Sequence, residues 1–327
     1  MYKERPLVSI LCTAYMHQEY IAQTLDSFLM QETDFPFEIL VSDDASADGT
    51  AQIIEDYAAR YPDVIRPFIM KENIFSQGRN FYTEFFFPQA RGKYICLCEG
   101  DDYWTDPGKL QMQADFLEEH PEYSACVHDT MLHYCGSDRP DEPLLHHGKD
   151  MDIDLELIIA GASRAYHTSS FMARAKILTD TQPFYHVAYS YGFTDHANAL
   201  WLRLNGKIRY FDKIMSVYRI NSGGDAWSSG VDGEYEKLRR FVTGELEMFR
   251  SLLLQVEGRE KDLIQQAIIK QEFELMYIEG RDKEQRRPPY RQLLKQQPWS
   301  YRMKNFVKSY CPGLQQAHRR RQGYGDK

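Results

Sequence analysis

The sequence predicts an α/β fold: a mostly parallel central sheet flanked by helices, followed by a helical C-terminal appendage. Three observations carry that prediction. Apolar runs of strand length alternate with segments whose apolar residues recur at steps of three or four. Polar, aspartate-bearing loops follow the strands. Beyond residue 230 the periodicity is that of helices.

Leu7 to Thr13 reads as a buried strand, Ala14 to Gln18 as a turn, and Ile21, Leu25, Phe28 and Leu29 as the apolar face of a helix. A second unit repeats the order: a strand from Phe37 to Ser42, a polar loop with capping residues from Asp43 to Thr50, and a helix face of Ile53, Ile54, Tyr57 and Ala58. A third strand, Ile65 to Met70, leads through a polar loop to a helix from about Arg79. The fourth, from Tyr94 to Cys98, empties into Glu99-Gly100-Asp101-Asp102-Tyr103-Trp104. Strands alternating with helices imply right-handed crossovers, which gather these loops along the carboxyl edge of the sheet, where ligands collect. Further on, Tyr166 to Met172 is expected as a strand, and Ala199, Leu200, Trp201, Leu202 and Leu204 as the apolar part of a helix that Asp195 begins. Gly233 to Ile278 has the content of two helices, with Gly258 as the break. The expected division is residues 1–230 as the main domain and 231–327 as a helical region with a basic amphipathic tail.

Asp101 and Asp102, adjacent carboxylates at a strand end, have the oxygen chemistry that suits Mg²⁺ or Mn²⁺, with a nucleotide diphosphate completing the shell. Taken alone, the same pair is also a solvated turn before a helix. Composition fits a single large domain with an appendage: 327 residues with 43% hydrophobic content support a substantial core. Of six cysteines, Cys12, Cys96, Cys98 and Cys126 fall on expected strands, which reads as reduced, buried thiols in a cytoplasmic protein. With neither an N-terminal signal peptide nor an apolar run of about 18 residues, secretion by that route and a bilayer span are not expected. Residues 281–327 hold 13 Lys/Arg and 3 Asp/Glu, within a chain whose net charge is −9. There Trp299, Met303, Phe306 and Tyr310 recur at helical steps with Arg302, Lys304 and Lys308 between them. This pattern permits either peripheral contact with anionic lipid at the inner face of a membrane or docking on the acidic body of the protein itself. The acidic main body and the lack of a recognisable module disfavour nucleic acid.

Several motifs, in order, resemble family 2 glycosyltransferases with the GT-A nucleotide-sugar fold. They are Val8-Ser9-Ile10 through Thr13-Ala14-Tyr15, Glu38 to Thr50, Arg91 to Ile95, Glu99 to Trp104 at the position of the family's Asp-x-Asp-type motif, Tyr191 to Asp195, and Met215 to Arg219. Together they cover roughly residues 6 to 230. The resemblance implies an inverting transfer of a sugar from a nucleotide-sugar donor to a glycan or lipid-linked acceptor, with Mn²⁺ or Mg²⁺. By similarity, Thr13, Ala14 and Tyr15 line the nucleotide pocket, and Asp44 accepts a hydrogen bond from the imide of uracil or thymine, which favours a UDP- or dTDP-sugar. Asp102 is the direct metal ligand, Asp101 touches ribose or metal, and Asp195 is the catalytic base. Arg79 contacts base or phosphates, and Arg219, in a segment that continues to Gly224 and Trp227-Ser228, neutralises phosphate charge. Local readings compete at each position: capping or turn roles for Asp44 and Asp195, and solvated surface positions for Arg79 and Arg219. Glu99 sits beneath the sugar or partners a base; His167 and His196 contact the acceptor side or are satisfied by backbone carbonyls. Many relatives carry histidine where this chain has Asn221, so no third protein ligand is assigned there.

Overall fold

The computed structural model describes residues 5–161, 164–179, 194–220 and 234–310. The described residues form two compact units, the first up to Ile220 and the second from Glu234. In the first, strands β1 (Val8–Ala14), β2 (Phe37–Asp43), β3 (Ile65–Ile69) and β4 (Tyr94–Leu97) alternate with helices α1 (Ile21–Leu29) and α2 (Thr50–Arg60). The expected third helix is a wide, π-type turn over Tyr82–Phe86 that runs into Phe87–Gln89. The later elements are β5 (Tyr103–Trp104), α3 (Lys109–Glu119), β6 (Tyr123–Tyr134), β7 (Glu142–Pro143), β8 (Met151–Asp152), β9 (Met172–Arg174), α4 (Thr194–Leu204) and β10 (Lys207–Ile220).

The sheet order is β3-β2-β1-β4-β9-β6-β10-β5, with β7 on β6 and β8 on β10. Strands β1 to β4 pair in parallel as expected; beyond them the sheet is mixed, with β9 antiparallel to both β4 and β6, and β5 antiparallel to β10. Strand β10 runs parallel to β6 over almost its whole length. Val8, Ile10, Cys12, Ile39, Val41 and Cys96 meet Ile21, Leu25 and Phe28 of α1 in the core. Cys98 and Cys126 are also buried free thiols.

The amino ends of the parallel strands, opposite the edge where the aspartate loop emerges, are locked by a buried carboxylate. Glu38 accepts hydrogen bonds from the Ser9 hydroxyl (2.7 Å), the Arg91 backbone N–H (2.7 Å) and the Arg91 guanidinium (2.6 and 2.9 Å), while Ser9 Oγ accepts from Gly92 N–H. A Cβ on Gly92 would lie 2.5 Å from the Ser9 nitrogen, so only glycine passes here. Glu38→Ala strips acceptors from the buried Ser9 hydroxyl and Arg91 N–H; a loss of about 3 kcal/mol is expected. Urea denaturation checks this, with Glu38→Gln expected to lose less.

In the second unit, α5 (Glu234–Leu253) and α6 (Gly258–Ile278) pack together, followed by α7 (Arg291–Gln296) and α8 (Trp299–Tyr310). The break between α5 and α6 comes just before Gly258, which opens α6 with φ +56°. No helix among the described residues is long and apolar enough to cross a membrane.

Candidate active site

Register places the site. Ala14 lies level with Asp43 across β1 and β2, and Leu11 with Leu97 across β1 and β4, so the residues after all three strands emerge on one edge. There the Gly100 N–H donates to the Thr13 carbonyl (2.8 Å), and a Cβ on Gly100 would lie 2.8 Å from that of Ala14. Glycine therefore lets the aspartate loop press against the turn after β1. From α1 the Thr24 hydroxyl reaches the Asp102 carbonyl (2.6 Å) and the Gly100 carbonyl (2.9 Å) and holds the loop from beneath.

The loop is held from the far side by β10. Pairing of Tyr103 with Val217 and Trp104 with Ser216 sets Arg219 beside the aspartates. Its backbone N–H donates to Asp102 Oδ1 (3.0 Å), and its guanidinium bonds the Asp101 carbonyl and Gln23 Oε1, between the rings of Tyr20 and Tyr103. Arg219 is 7% exposed, and these bonds make its side chain a brace for the aspartate loop. The segment expected after it, from Asn221 to Ser228, lies outside the described residues.

Asp102 is fully buried, and its Oδ2 has no hydrogen-bond partner. Burial comes first among the causes that raise its pKa, followed by Asp101 and Glu99. Carboxylate oxygens of Glu99, Asp101 and Asp102 all lie within 4.8 Å of one another. An orphaned, buried carboxylate oxygen facing two more carboxylates is the donor set a hard divalent cation satisfies, so these residues fit Mg²⁺ or Mn²⁺.

Asp195 sits in the first turn of α4, accessible to solvent, and accepts a hydrogen bond from the Thr168 hydroxyl. Burial followed by the charges of Asp195 and Asp101 raises the pKa of Glu99. That of Asp195 is raised as well: although the residue reaches solvent, the protein packed about its carboxyl desolvates it, against the pull of Thr168 and His196. The two titrate as a pair. Tyr218 feels the same acids: its phenol is pushed up to about 12 by burial and then by Asp102, Glu99, Asp101 and Asp195. Groups about 90 residues apart in the chain thus act on one side chain.

Other sequence-predicted residues take varied places. Thr13 lies half-buried with its hydroxyl 3.4 Å from that of Tyr82, and Tyr15 lines the turn after β1. Asp44 is 9% exposed, and its two oxygens accept the N–H groups of Ile74 (2.6 Å) and Phe75 (3.1 Å), which shapes the loop after β3. Arg79 is a surface residue paired with Glu84. His167 precedes a 3₁₀ turn, Thr168–Ser170, where a strand was expected. The Ser169 and Ser170 hydroxyls bond His167 Nδ1 (2.8 Å) and its carbonyl (2.7 Å), and such local bonds favour a turn. Its ring stacks on Tyr218 with centroids 4.2 Å apart, and burial lowers its pKa to about 4, so it is neutral at pH 7. His196 is buried and bonded to the Ile158 carbonyl (2.8 Å).

Sequence reasoning missed Tyr82, Tyr166, Tyr218 and His17. His17 Nε2 is 3.8 Å from Asp101 Oδ2, and burial holds it neutral despite that charge. Tyr166, 4% exposed, carries an unpartnered hydroxyl within the field of Asp195. A tyrosine in an apolar run looks like core, and only its hydroxyl without a partner marks it otherwise.

The model for glycosyl transferase family 2 matches residues 9–178. The chain belongs to this family. The family's fold is also that of solved relatives: the structure of TarS from S. aureus superposes with a TM-score of 0.59 at 20% identity, covering 85% of this chain and 46% of TarS. Among sequences, the uncharacterized protein Rv1520 of Mycobacterium tuberculosis is 35% identical over 243 residues, 72% of this chain and 63% of that protein. The chain thus spans just under two thirds of that relative. Chondroitin synthase of Escherichia coli is 30% identical over 178 residues, 54% of this chain and 24% of the synthase. The mixed sheet with a parallel first half is the GT-A architecture expected for family 2.

Proposed function

We propose that this protein is an inverting glycosyltransferase that moves a sugar from a UDP- or dTDP-sugar to a hydroxyl of a glycan or lipid-linked acceptor. The reading includes a cytoplasmic location and a role in surface polysaccharide or glycoconjugate assembly. The observation that carries it is the carboxylate cluster of Glu99, Asp101 and Asp102 after β4, with Asp195 bonded to Thr168 beside His167, whose Nδ1 lies 3.9 Å from Asp102 Oδ2. TarS, solved with UDP and with UDP-GlcNAc, is a relative in fold with a donor of this class.

Asp195 accepts the proton of the acceptor hydroxyl as that oxygen attacks the anomeric carbon. The bond from that carbon to the diphosphate breaks on the opposite face, and its electron pair leaves with the nucleotide. One in-line displacement inverts the anomeric configuration. Asp102 and Asp101, with Glu99 beside them, hold the divalent cation, which when bound supplies positive charge against the leaving diphosphate. Arg219 keeps the aspartate loop in place, and neutral His17 flanks Asp101. Thr13, Ala14 and Tyr15 border the nucleotide. Each Asp44 oxygen that accepts a backbone N–H keeps a second lone pair, so the carboxylate can also receive a pyrimidine imide N–H.

A panel of nucleotide sugars, assayed with Mn²⁺ or Mg²⁺ and with chelator, tests this function. The expected result is turnover of a UDP- or dTDP-sugar with inversion, lost on chelation. UDP binding with neither transfer nor donor hydrolysis would mark a silent binding protein. Condensation of UTP with a sugar 1-phosphate would mark a nucleotidyltransferase.

A further inference from the structure

In the second unit, α8 is anchored along one side by Asn305 and Tyr301. Asn305 is buried and donates to Gln285 Oε1 (2.5 Å) and the Asp282 carbonyl (3.2 Å), while the Tyr301 ring packs on Phe273 and Tyr277 of α6. These contacts hold the helix within its own unit. Its other side presents Trp299 at 72% exposure, Phe306 at 44% and Met303 at 40%. These three, with Leu294, line a cavity of about 250 Å³ whose remaining walls are Arg286, Arg291, Lys295 and Arg302. None of the lining residues is acidic.

We infer that this face is a docking surface for an anionic phospholipid bilayer, with the cations at the lipid phosphates and Trp299, Met303 and Phe306 in the interfacial layer. Charge complementarity and exposed apolar area select that occupant together. The basic stretch stands out in a chain of net charge −9, so an anionic surface attracts this region and not the acidic remainder. A soluble polyanion would pair with Arg291, Lys295 and Arg302 but leave three large apolar side chains at the surface, whereas a bilayer interface takes both. Tryptophan beside arginine and lysine is the pairing that headgroup depth accommodates. The inference does not depend on the chemistry proposed for the first unit.

Cosedimentation of the full chain with vesicles tests it. The chain is expected to pellet with phosphatidylcholine vesicles containing about a third phosphatidylglycerol, to remain in solution with pure phosphatidylcholine, and to be released by salt. Removing two cations with Arg291→Gln and Arg302→Gln should weaken partitioning about 25-fold, roughly fivefold for each. Trp299→Ala with Phe306→Ala should weaken it by about fivefold or more. Circular dichroism confirms that these surface variants fold. Equal binding to neutral and anionic vesicles, unchanged binding in either double variant, or binding to short-chain polyphosphate but not to vesicles would overturn the inference.

Discussion

Asp195→Asn is expected to lower kcat by roughly a hundred- to ten-thousand-fold while leaving nucleotide binding unchanged. An amide keeps the shape and still accepts from the Thr168 hydroxyl, but it cannot take a proton from the acceptor. The substitution also separates the two roles open to a residue in the first turn of α4. Asparagine caps a helix about as well as aspartate, so a merely structural Asp195 would tolerate the change with activity intact. Single-turnover transfer, with UDP affinity measured alongside, distinguishes them. The pH profile supplies a second readout. The proton shared by Glu99 and Asp195 is held above the ordinary carboxylate range, chiefly by desolvation. Activity should therefore rise with pH through that raised range as the base ionises, and this limb should be missing in Asp195→Asn.

Asp102→Asn should reduce transfer about a thousandfold and abolish the stabilisation that Mn²⁺ gives the parent protein, since a neutral amide is a poor ligand for a hard cation. Its effect on the cation-free fold has the opposite sign. Asp102 is buried with Oδ2 unpartnered, and desolvation heads the causes that raise its pKa. A carboxyl whose pKa is raised on folding binds its proton more tightly in the native state. Native structure then gains relative to the unfolded chain at low pH and loses as pH climbs from the ordinary carboxylate range through the raised folded value. Glu99 adds a contribution of the same sign. The cation-free Asp102→Asn protein should thus denature at or above the parent's midpoint near neutral pH, with the gap widening as pH rises. Thermal melts with and without Mn²⁺ across that range check both effects. A variant that is inactive yet no less stable identifies Asp102 as a group retained for function at a cost to stability.

Much of the first unit was legible because its signals are local. Apolar runs such as Val8–Ala14 and Phe37–Asp43, each with a periodic helix after it, leave few arrangements other than parallel strands. Their carboxyl ends must then share an edge, and that is why Asp101 and Asp102 are legible there, whereas Asp195 joins them only through the family resemblance. What was not legible depends on pairing between distant segments. The two-residue strand β5 carries almost no pattern of its own, yet its pairing with β10 turns Arg219 from a free cation into a brace for the aspartate loop. Strand β9 has three residues, and its antiparallel insertion between β4 and β6 has no counterpart in local periodicity. The segment around His167 reads as a strand in sequence, but the serine hydroxyls nearby satisfy its backbone and ring in a turn. Nothing local in the sequence shows that Asp44 also accepts backbone N–H groups from a loop 30 residues on. The phenols of Tyr82, Tyr166 and Tyr218 acquire significance only from the acids that surround them.

Anomalous diffraction at the manganese edge, from crystals of this chain grown with UDP and Mn²⁺, addresses the central arrangement most directly. The expected map has one manganese peak in contact with the carboxylate of Asp102, the diphosphate against it, and the carboxyl of Asp195 opening onto the same cavity. A nucleotide bound with its manganese away from Asp102, or an Asp195 carboxyl facing a different cavity, would contradict the assignment of this site.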